Sequence, residues 1–133
     1  MIRIEELDLA TDSYSADVAR LYAFEGWHKK SDSLKPVTDA LKNSYCAYAA
    51  YDDDKMVGFF RSLSDGVSDA YLVDLIVDPQ YRRNGVATAL TDALVKRLKA
   101  DGVEWITAIS TPAAKSMYLK KGDIMPGHVP IRF

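Results

Sequence analysis

The chain has 133 residues, with 17 Lys or Arg, 19 Asp or Glu, a formal net charge of −2 and 48% hydrophobic residues. These values predict one folded domain over residues 1–133, and they argue against a disordered chain and against a general electrostatic attraction to nucleic acid or membrane. The single cysteine, Cys46, excludes an intramolecular disulfide and a multi-cysteine zinc site.

The N-terminal residues lack the apolar segment of a signal peptide, and no apolar run approaches the roughly 18–20 residues that cross a bilayer. The sequence therefore predicts a cytoplasmic protein that needs no membrane partner. Cys46 is expected to be a small, buried hydrophobic residue without a chemical role.

The first half of the chain is predicted to contain a strand, two helices and a hairpin of two antiparallel strands. Side chains that alternate between apolar and polar indicate the first strand, and three consecutive aspartates at 52–54 indicate the turn of the hairpin. The predicted segments are a strand at 2–6, a helix capped by Asp12 or Ser13, a second helix at about 33–43, and strands at 45–51 and 55–63.

The second half of the chain carries stronger patterns. Residues 70–77 are almost continuously apolar, as in a buried strand, and they lead into a turn. The clearest helix follows, because apolar residues recur there at every fourth position. The predicted segments are a strand at 70–77, a helix with Val86, Leu90, Leu94 and Leu98 on one face, a strand at 103–109, a helix from Thr111 to Gly122, and within 124–133 one short strand or two irregular pieces.

This order of elements predicts an α/β fold. The strand–helix–strand unit at 70–109 implies two parallel strands joined by a right-handed crossover, whereas the earlier hairpin is antiparallel. We therefore expect a mixed, mostly antiparallel sheet with a central parallel β-α-β unit and helices on both faces.

The turn before the long helix has the features of an anion-binding site. The first N–H groups of a helix lack intrahelical partners and lie at the positive end of the helix dipole, so they bind phosphate well. Gly85 and Ala87 leave this backbone accessible, and Arg82 and Arg83 add positive charge. The segment is neither a P-loop nor a dinucleotide fingerprint. The alternative is a solvated turn that binds nothing.

Two motifs resemble those of a known family. Arg82-x-x-Gly85-x-Ala87, preceded by Val77-x-Pro79, resembles the acetyl-CoA-binding signature of the GNAT superfamily of N-acetyltransferases. Downstream, the segment A-K-S-M-Y-L-K-K-G at 114–122 is similar to a conserved helix of that superfamily. The resemblance covers residues 44–122, and the N-terminal part is similar to that of small stand-alone bacterial members. It implies a GNAT-like fold.

The resemblance also implies which residues bind acetyl-CoA, the co-substrate, with no metal involved. The strand that ends at Val77 would pair through its backbone with the pantetheine arm, and the amides of the following turn would surround the pyrophosphate. The Arg82 side chain would reach the same phosphates. The implied acetyl-CoA-binding residues are Leu75, Ile76, Val77, Arg82, Arg83, Asn84, Gly85, Val86, Ala87, Thr88 and Thr111.

The resemblance further implies that Tyr118 lies near the thioester sulfur and protonates the departing thiolate as a general acid. An alkyl amine is mostly protonated at neutral pH, so the site must also accept a proton from the amine. Asp74 and the upstream Asp69 are the candidate bases, and Asp74, a carboxylate within an apolar strand, is the one favoured as base or amine-binding group. His28 lies in a loop that could border the acceptor pocket, and Trp27 is expected to be a core residue or a pocket wall.

The sequence therefore predicts an enzyme that transfers an acetyl group from acetyl-CoA to a primary amine of a small molecule, amino acid or peptide, by direct attack in a ternary complex. A module that senses acetyl-CoA and controls a partner protein is the alternative, although Tyr118 favours the enzyme.

A nucleic-acid-binding role for Arg82 and Arg83 is disfavoured, since no wider basic patch accompanies them. A homodimer is possible, because the short C-terminal part leaves a sheet edge open.

Overall fold

The computed structural model describes all 133 residues, and it contains one five-stranded sheet with helices on both faces. The strands are β1 (Ile2–Glu6), β2 (Cys46–Asp52), β3 (Lys55–Ser64), β4 (Asp69–Val77) and β5 (Trp105–Ala108). The helices are α1 (Ser15–Ala23), α2 (Lys35–Lys42), α3 (Val86–Ala100) and α4 (Lys115–Tyr118), with a single 3-10 turn at Pro79–Tyr81.

The strands lie in the order β1-β2-β3-β4-β5, which is also their order in the chain. The first three neighbouring pairs are antiparallel, and β4 and β5 are parallel, with α3 connecting them. The predicted fold class, a mostly antiparallel sheet with one parallel β-α-β unit, is therefore confirmed.

Two apolar clusters hold the layers together, one on each face of the sheet. The first packs α1 and α2 against the sheet and is centred on Phe59, while the second packs α3 and is centred on Phe60. Both phenylalanines are almost completely buried. Successive residues of a strand point to opposite faces, so the central strand β3 supplies an aromatic anchor to each layer.

The helix α3 lies unusually close to β3 at Gly58. A Cβ atom at this position would be 2.9 Å from Val86 Cγ1 and 3.0 Å from Leu90 Cδ1, both on α3. A side chain at position 58 would have to displace these two side chains, so glycine permits the close approach of the helix to the sheet.

The ends of several elements differ from the prediction. The cap of α1 is Tyr14, which makes no side-chain cap hydrogen bond, so the predicted cap at Asp12 or Ser13 is wrong. The Asp12 carboxylate instead forms an ion pair with Lys42 of α2 at 2.6 Å. The Asp12 side chain is therefore held by its contact with α2 and does not form the α1 cap that the local sequence predicts.

The C-terminal elements are shorter than predicted. The helix α4 has four residues, because the backbone on its C-terminal side tightens into hydrogen bonds from Lys120 to Met117 and from Lys121 to Tyr118. The strand β5 ends at Ala108, and residues 123–133 form no strand. The irregular alternative for the last residues is therefore the one found. None of the helices has both the length and the apolar character needed to span a bilayer.

The close contact at Gly58 yields a testable prediction. Replacing it, in a Gly58→Ala variant, is expected to lower the free energy of unfolding by about 1–3 kcal/mol, because the new methyl group overpacks the contact with α3. The measurement is urea unfolding followed by circular dichroism. The matched control is Gly122→Ala, where no heavy atom lies within 4 Å of the new Cβ. Equal midpoints for the two variants would contradict the prediction.

Candidate active site

The strand β4 contains one more residue than its neighbour β3 can pair with. The pairs Phe59–Ile76 and Arg61–Val73 enclose a stretch in which two β4 residues face a single β3 residue. The extra residue is accommodated at Asp74, whose backbone adopts the left-handed conformation with a φ of 64°. Such a β-bulge bends the strand and redirects its side chains.

Beyond the bulge, β4 loses its neighbour on the other side. The pairing with β5 runs only from Asp69–Trp105 to Leu72–Ala108. The outer backbone edge of residues 73–77 therefore has no strand partner, and it can pair with an extended ligand as another strand would. This edge includes Leu75, Ile76 and Val77, the residues predicted to bind the pantetheine arm.

The N-terminus of α3 follows directly and carries no cap. The first intrahelical bond runs from the Ala89 N–H to the Gly85 carbonyl, so the N–H groups of residues 86–88 have no helical partner. Gly85 has a φ of 76°, and no heavy atom lies within 4 Å of the place where its Cβ would be. The first turn contains no acidic residue. This arrangement suits an anion, since both the free donors and the helix dipole favour negative charge.

The two arginines of the turn differ in their surroundings. The Arg82 guanidinium donates a hydrogen bond to the Val77 carbonyl at 3.2 Å and lies 3.6 Å from Glu25. It is therefore anchored beside the end of β4, and it must leave Glu25 to place its charge on a phosphate. Arg83 is exposed and has a φ of 65°, while Asn84 donates to the Tyr81 carbonyl and closes the turn.

Tyr118 lies on α4, on the same face of the sheet as α3. Its ring is half-buried, with its centroid 6.5 Å from that of Phe60. Burial, with a smaller contribution from Tyr71, raises the pKa of Tyr118 to about 12. Thr111, in the loop before α4, accepts a hydrogen bond from the Ala114 N–H. Its predicted contact with acetyl-CoA stays a prediction.

Asp74 is held by two side chains from other elements. Its Oδ2 atom accepts hydrogen bonds from the Tyr22 hydroxyl at 2.7 Å and from Arg61 Nε at 2.8 Å. Burial, followed by the charge of Asp74, raises the pKa of Tyr22, so this hydroxyl remains a donor at neutral pH. The Oδ1 atom takes part in neither bond. Arg61 forms an ion pair with this carboxylate, and the Oδ1 atom is left to accept a further hydrogen bond from a ligand.

A cavity of about 440 Å³ opens beside this carboxylate, between β4 and the segment that joins α1 to α2. One wall is aromatic, because the Trp27 ring lies 5.4 Å from the Tyr22 ring in an edge-on arrangement. The polar lining residues are His28, Asp32, Ser33 and Asp74. A cavity with carboxylates and aromatic rings suits an organic cation.

Sequence reasoning missed Tyr22 and Arg61 as members of the site. Tyr22 is buried on α1, and its hydroxyl reaches Asp74 across 52 positions of the chain. The usable signal was a pair of opposite charges, Arg61 and Asp74, in two apolar segments predicted to be strands. Cys46 is buried as predicted, and burial raises the pKa of its thiol.

Comparisons with known proteins agree with this geometry. A protein-family model described as an acetyltransferase (GNAT) domain matches residues 10–125. An uncharacterized N-acetyltransferase, ycf52, of Pyropia yezoensis is 31% identical over 103 residues, which cover 74% of this chain and 58% of that protein. The chain spans about three fifths of the length of the first curated relatives that it matches.

Solved structures show the same fold over nearly the whole chain. A GNAT-family acetyltransferase of Streptococcus pneumoniae is 27% identical, with a TM-score of 0.75 and coverage of 99% of this chain and 98% of that one. A structure of an acetyltransferase of Clostridium acetobutylicum with acetyl-CoA has a TM-score of 0.74 at 17% identity, and covers 99% and 96% of the two chains.

The ion pair between Arg61 and Asp74 yields a second prediction. An Arg61→Met variant is expected to lose about 1–3 kcal/mol of unfolding free energy, because the half-buried Asp74 carboxylate loses its ion-pair partner. The expected loss is smaller than for a fully buried pair, since the two side chains are 15% and 24% exposed.

Urea unfolding measures this loss, with Lys35→Met as the matched control. Lys35 forms an exposed ion pair with Asp39 on α2, so its removal is expected to leave the unfolding midpoint unchanged. An Arg61→Met variant as stable as this control would show that Arg61 does not hold Asp74.

Proposed function

The chain belongs to the GNAT acetyltransferase family, and we propose that it transfers an acetyl group from acetyl-CoA to a primary amine while both are bound in one ternary complex. The observation that carries the proposal is the unpaired outer edge of β4, at 73–77, which leads directly to the uncapped start of α3. An extended arm that ends in phosphates has the chemistry to match both features.

The residues present fit acetyl-CoA on two independent grounds. The open backbone edge at 75–77 suits an amide-containing arm, and the free N–H groups of 86–88, beside the open space at Gly85, suit a pyrophosphate. Acetyl-CoA supplies an acetyl carbonyl that is activated as a thioester. We propose that backbone N–H groups of the bulge at Asp74 stabilise the negative charge that develops on the acetyl oxygen.

Tyr118 is proposed as the general acid. Because its pKa is raised to about 12, the phenol keeps its proton throughout the neutral range. A group in this state can donate to a thiolate that forms beside it, whereas it cannot act as a base at neutral pH. Tyr118 lies near Phe60, the β3 residue that faces the bulge of β4. Beyond this bulge β4 and β5 are no longer paired, so the position of Tyr118 supports this role.

Asp74 is proposed as the group that binds the acceptor. A primary amine has an ordinary pKa of about 10.4 and reaches the protein as an ammonium ion. The Oδ1 atom of Asp74 can accept a hydrogen bond from this ion, with Trp27 as an aromatic wall. We therefore propose a cationic, primary amine as the acceptor class. The homodimer and the cytoplasmic location stay predictions.

The acetyl-CoA site is tested by calorimetry with the Gly85→Glu variant. We expect the wild type to bind acetyl-CoA with micromolar affinity, and the variant to bind at least about tenfold more weakly, because a carboxylate then occupies the positive end of the helix. The matched control is Gly102→Glu, since Gly102 also has a positive φ and open space but lies at the other end of α3. Equal affinities in the two variants would contradict the proposed site.

The role of Tyr118 is tested with Tyr118→Phe on a panel of ethylamine, 2-phenylethylamine, 1,4-diaminobutane and a short peptide with a free N-terminus. Release of free CoA measures turnover. We expect kcat to fall by about 100-fold with little change in acetyl-CoA affinity, because only proton donation is lost. Tyr71→Phe is the control, since Tyr71 is the neighbouring tyrosine. Wild-type binding of acetyl-CoA without turnover of any amine would favour the sensing module instead.

A further inference from the structure

The loop between α1 and α2 contains one residue that differs from all its neighbours in exposure. Every residue from 23 to 36 is exposed except His28, which is partly buried. Its side chain lines the cavity beside Asp74, together with Tyr22 and Trp27. A polar, titratable side chain that turns inward from an exposed loop, into a cavity with an unused carboxylate oxygen, is placed to act on whatever binds there.

The other titratable side chains of this cavity already take part in hydrogen bonds within the protein. Tyr22 stays protonated, because burial and the charge of Asp74 raise its pKa. Asp74 is balanced by Arg61 and already accepts two hydrogen bonds through Oδ2. Asp32 is exposed and accepts the Lys29 N–H at 2.8 Å, which ties it to its own loop. His28 is the remaining group.

We propose that His28 is the catalytic residue that accepts the proton of the acceptor ammonium ion held by Asp74. The inference rests on the proposed function. Imidazole is the side chain that ordinarily exchanges protons near neutral pH, and general bases are most effective when they do so. The step separates two tasks that one carboxylate performs badly: Asp74 holds the cation, and His28 neutralises it.

His28 and Tyr118 together account for every proton that the reaction moves. The ammonium ion gives one proton to His28, directly or through one water molecule, and His28 later releases it to solvent. The neutral nitrogen forms the new bond to the acetyl carbon, and the bond from that carbon to sulfur breaks. Tyr118 gives its proton to the sulfur and recovers one from the acylated nitrogen through water. The products are the amide, the free thiol and one proton in solution.

The kinetic test compares His28→Gln with His128→Gln. The chain has two histidines, and His128 is exposed in the C-terminal segment, so it is a matched control. At pH 7 we expect His28→Gln to lower kcat/KM for the most active amine of the panel by about 100-fold, the size typical of a lost general base. We expect His128→Gln to equal the wild type.

The pH profile separates a base from a residue that only shapes the pocket. Without His28, only the unprotonated amine reacts, so kcat/KM of His28→Gln should rise about tenfold per pH unit up to the pKa of the amine. The wild type, which binds the ammonium ion, should show a plateau over the same range. A variant that loses activity by the same factor at every pH would overturn the proposal, as would a variant with full activity.

A binding readout independent of turnover uses protein labelled with ¹³C and ¹⁵N in its histidines. Two imidazole signals are expected and are assigned with the two variants. Addition of ethylamine hydrochloride at constant pH, without acetyl-CoA, should move the His28 signal and leave that of His128 in place. If His28 does not respond, the proposal fails while amine turnover by the wild type still supports the proposed function. If no panel amine is acetylated, the proposed function itself fails.

Discussion

The site depends on one extra residue in β4. The bulge at Asp74 bends the strand away from the register that it keeps with β3, and β5 stops pairing at Leu72, just before the bulge. The same distortion exposes a backbone edge on one side and turns a carboxylate towards a cavity on the other. A regular strand would have pointed residue 74 elsewhere, so the edge proposed for the acetyl donor and the cavity proposed for the acceptor share one geometric cause.

Holding this distortion requires side chains that an apolar core does not supply. Asp74 adopts a left-handed backbone, which costs a residue with a Cβ on the order of 1 kcal/mol. Its two hydrogen bonds, one from a guanidinium and one from a buried tyrosine hydroxyl, offset that cost. Arg61 thereby pairs with a carboxylate in a half-buried position. The polar cluster therefore stabilises the backbone shape of the bulge as well as the position of the Asp74 side chain.

Much of the fold was predictable because the buried residues of a helix or strand recur at regular positions in the sequence. The spacing of Leu90, Leu94 and Leu98 gave α3, the apolar run at 70–77 gave β4, and together they implied the parallel pair. The uncapped start of α3, proposed as an anion site, was predictable because it lies within one turn. The partners of Asp74 were not, since Tyr22 is 52 positions away and Arg61 is 13 positions away, and no local pattern reports such contacts. The α1 cap failed for the same reason, because Asp12 pairs with a distant lysine.

The contact at Gly58 links the packing of the core to the position of the start of α3. Val86, the residue that a side chain at position 58 would strike first, is also the first residue of α3. A bulkier residue in the sheet would therefore lift the beginning of the helix, where the free N–H groups lie, more than its end. The central strand β3 thus influences the orientation of these N–H groups, although it contacts α3 on the opposite side of the helix. A substitution at this buried glycine would therefore alter the proposed anion site from a distance.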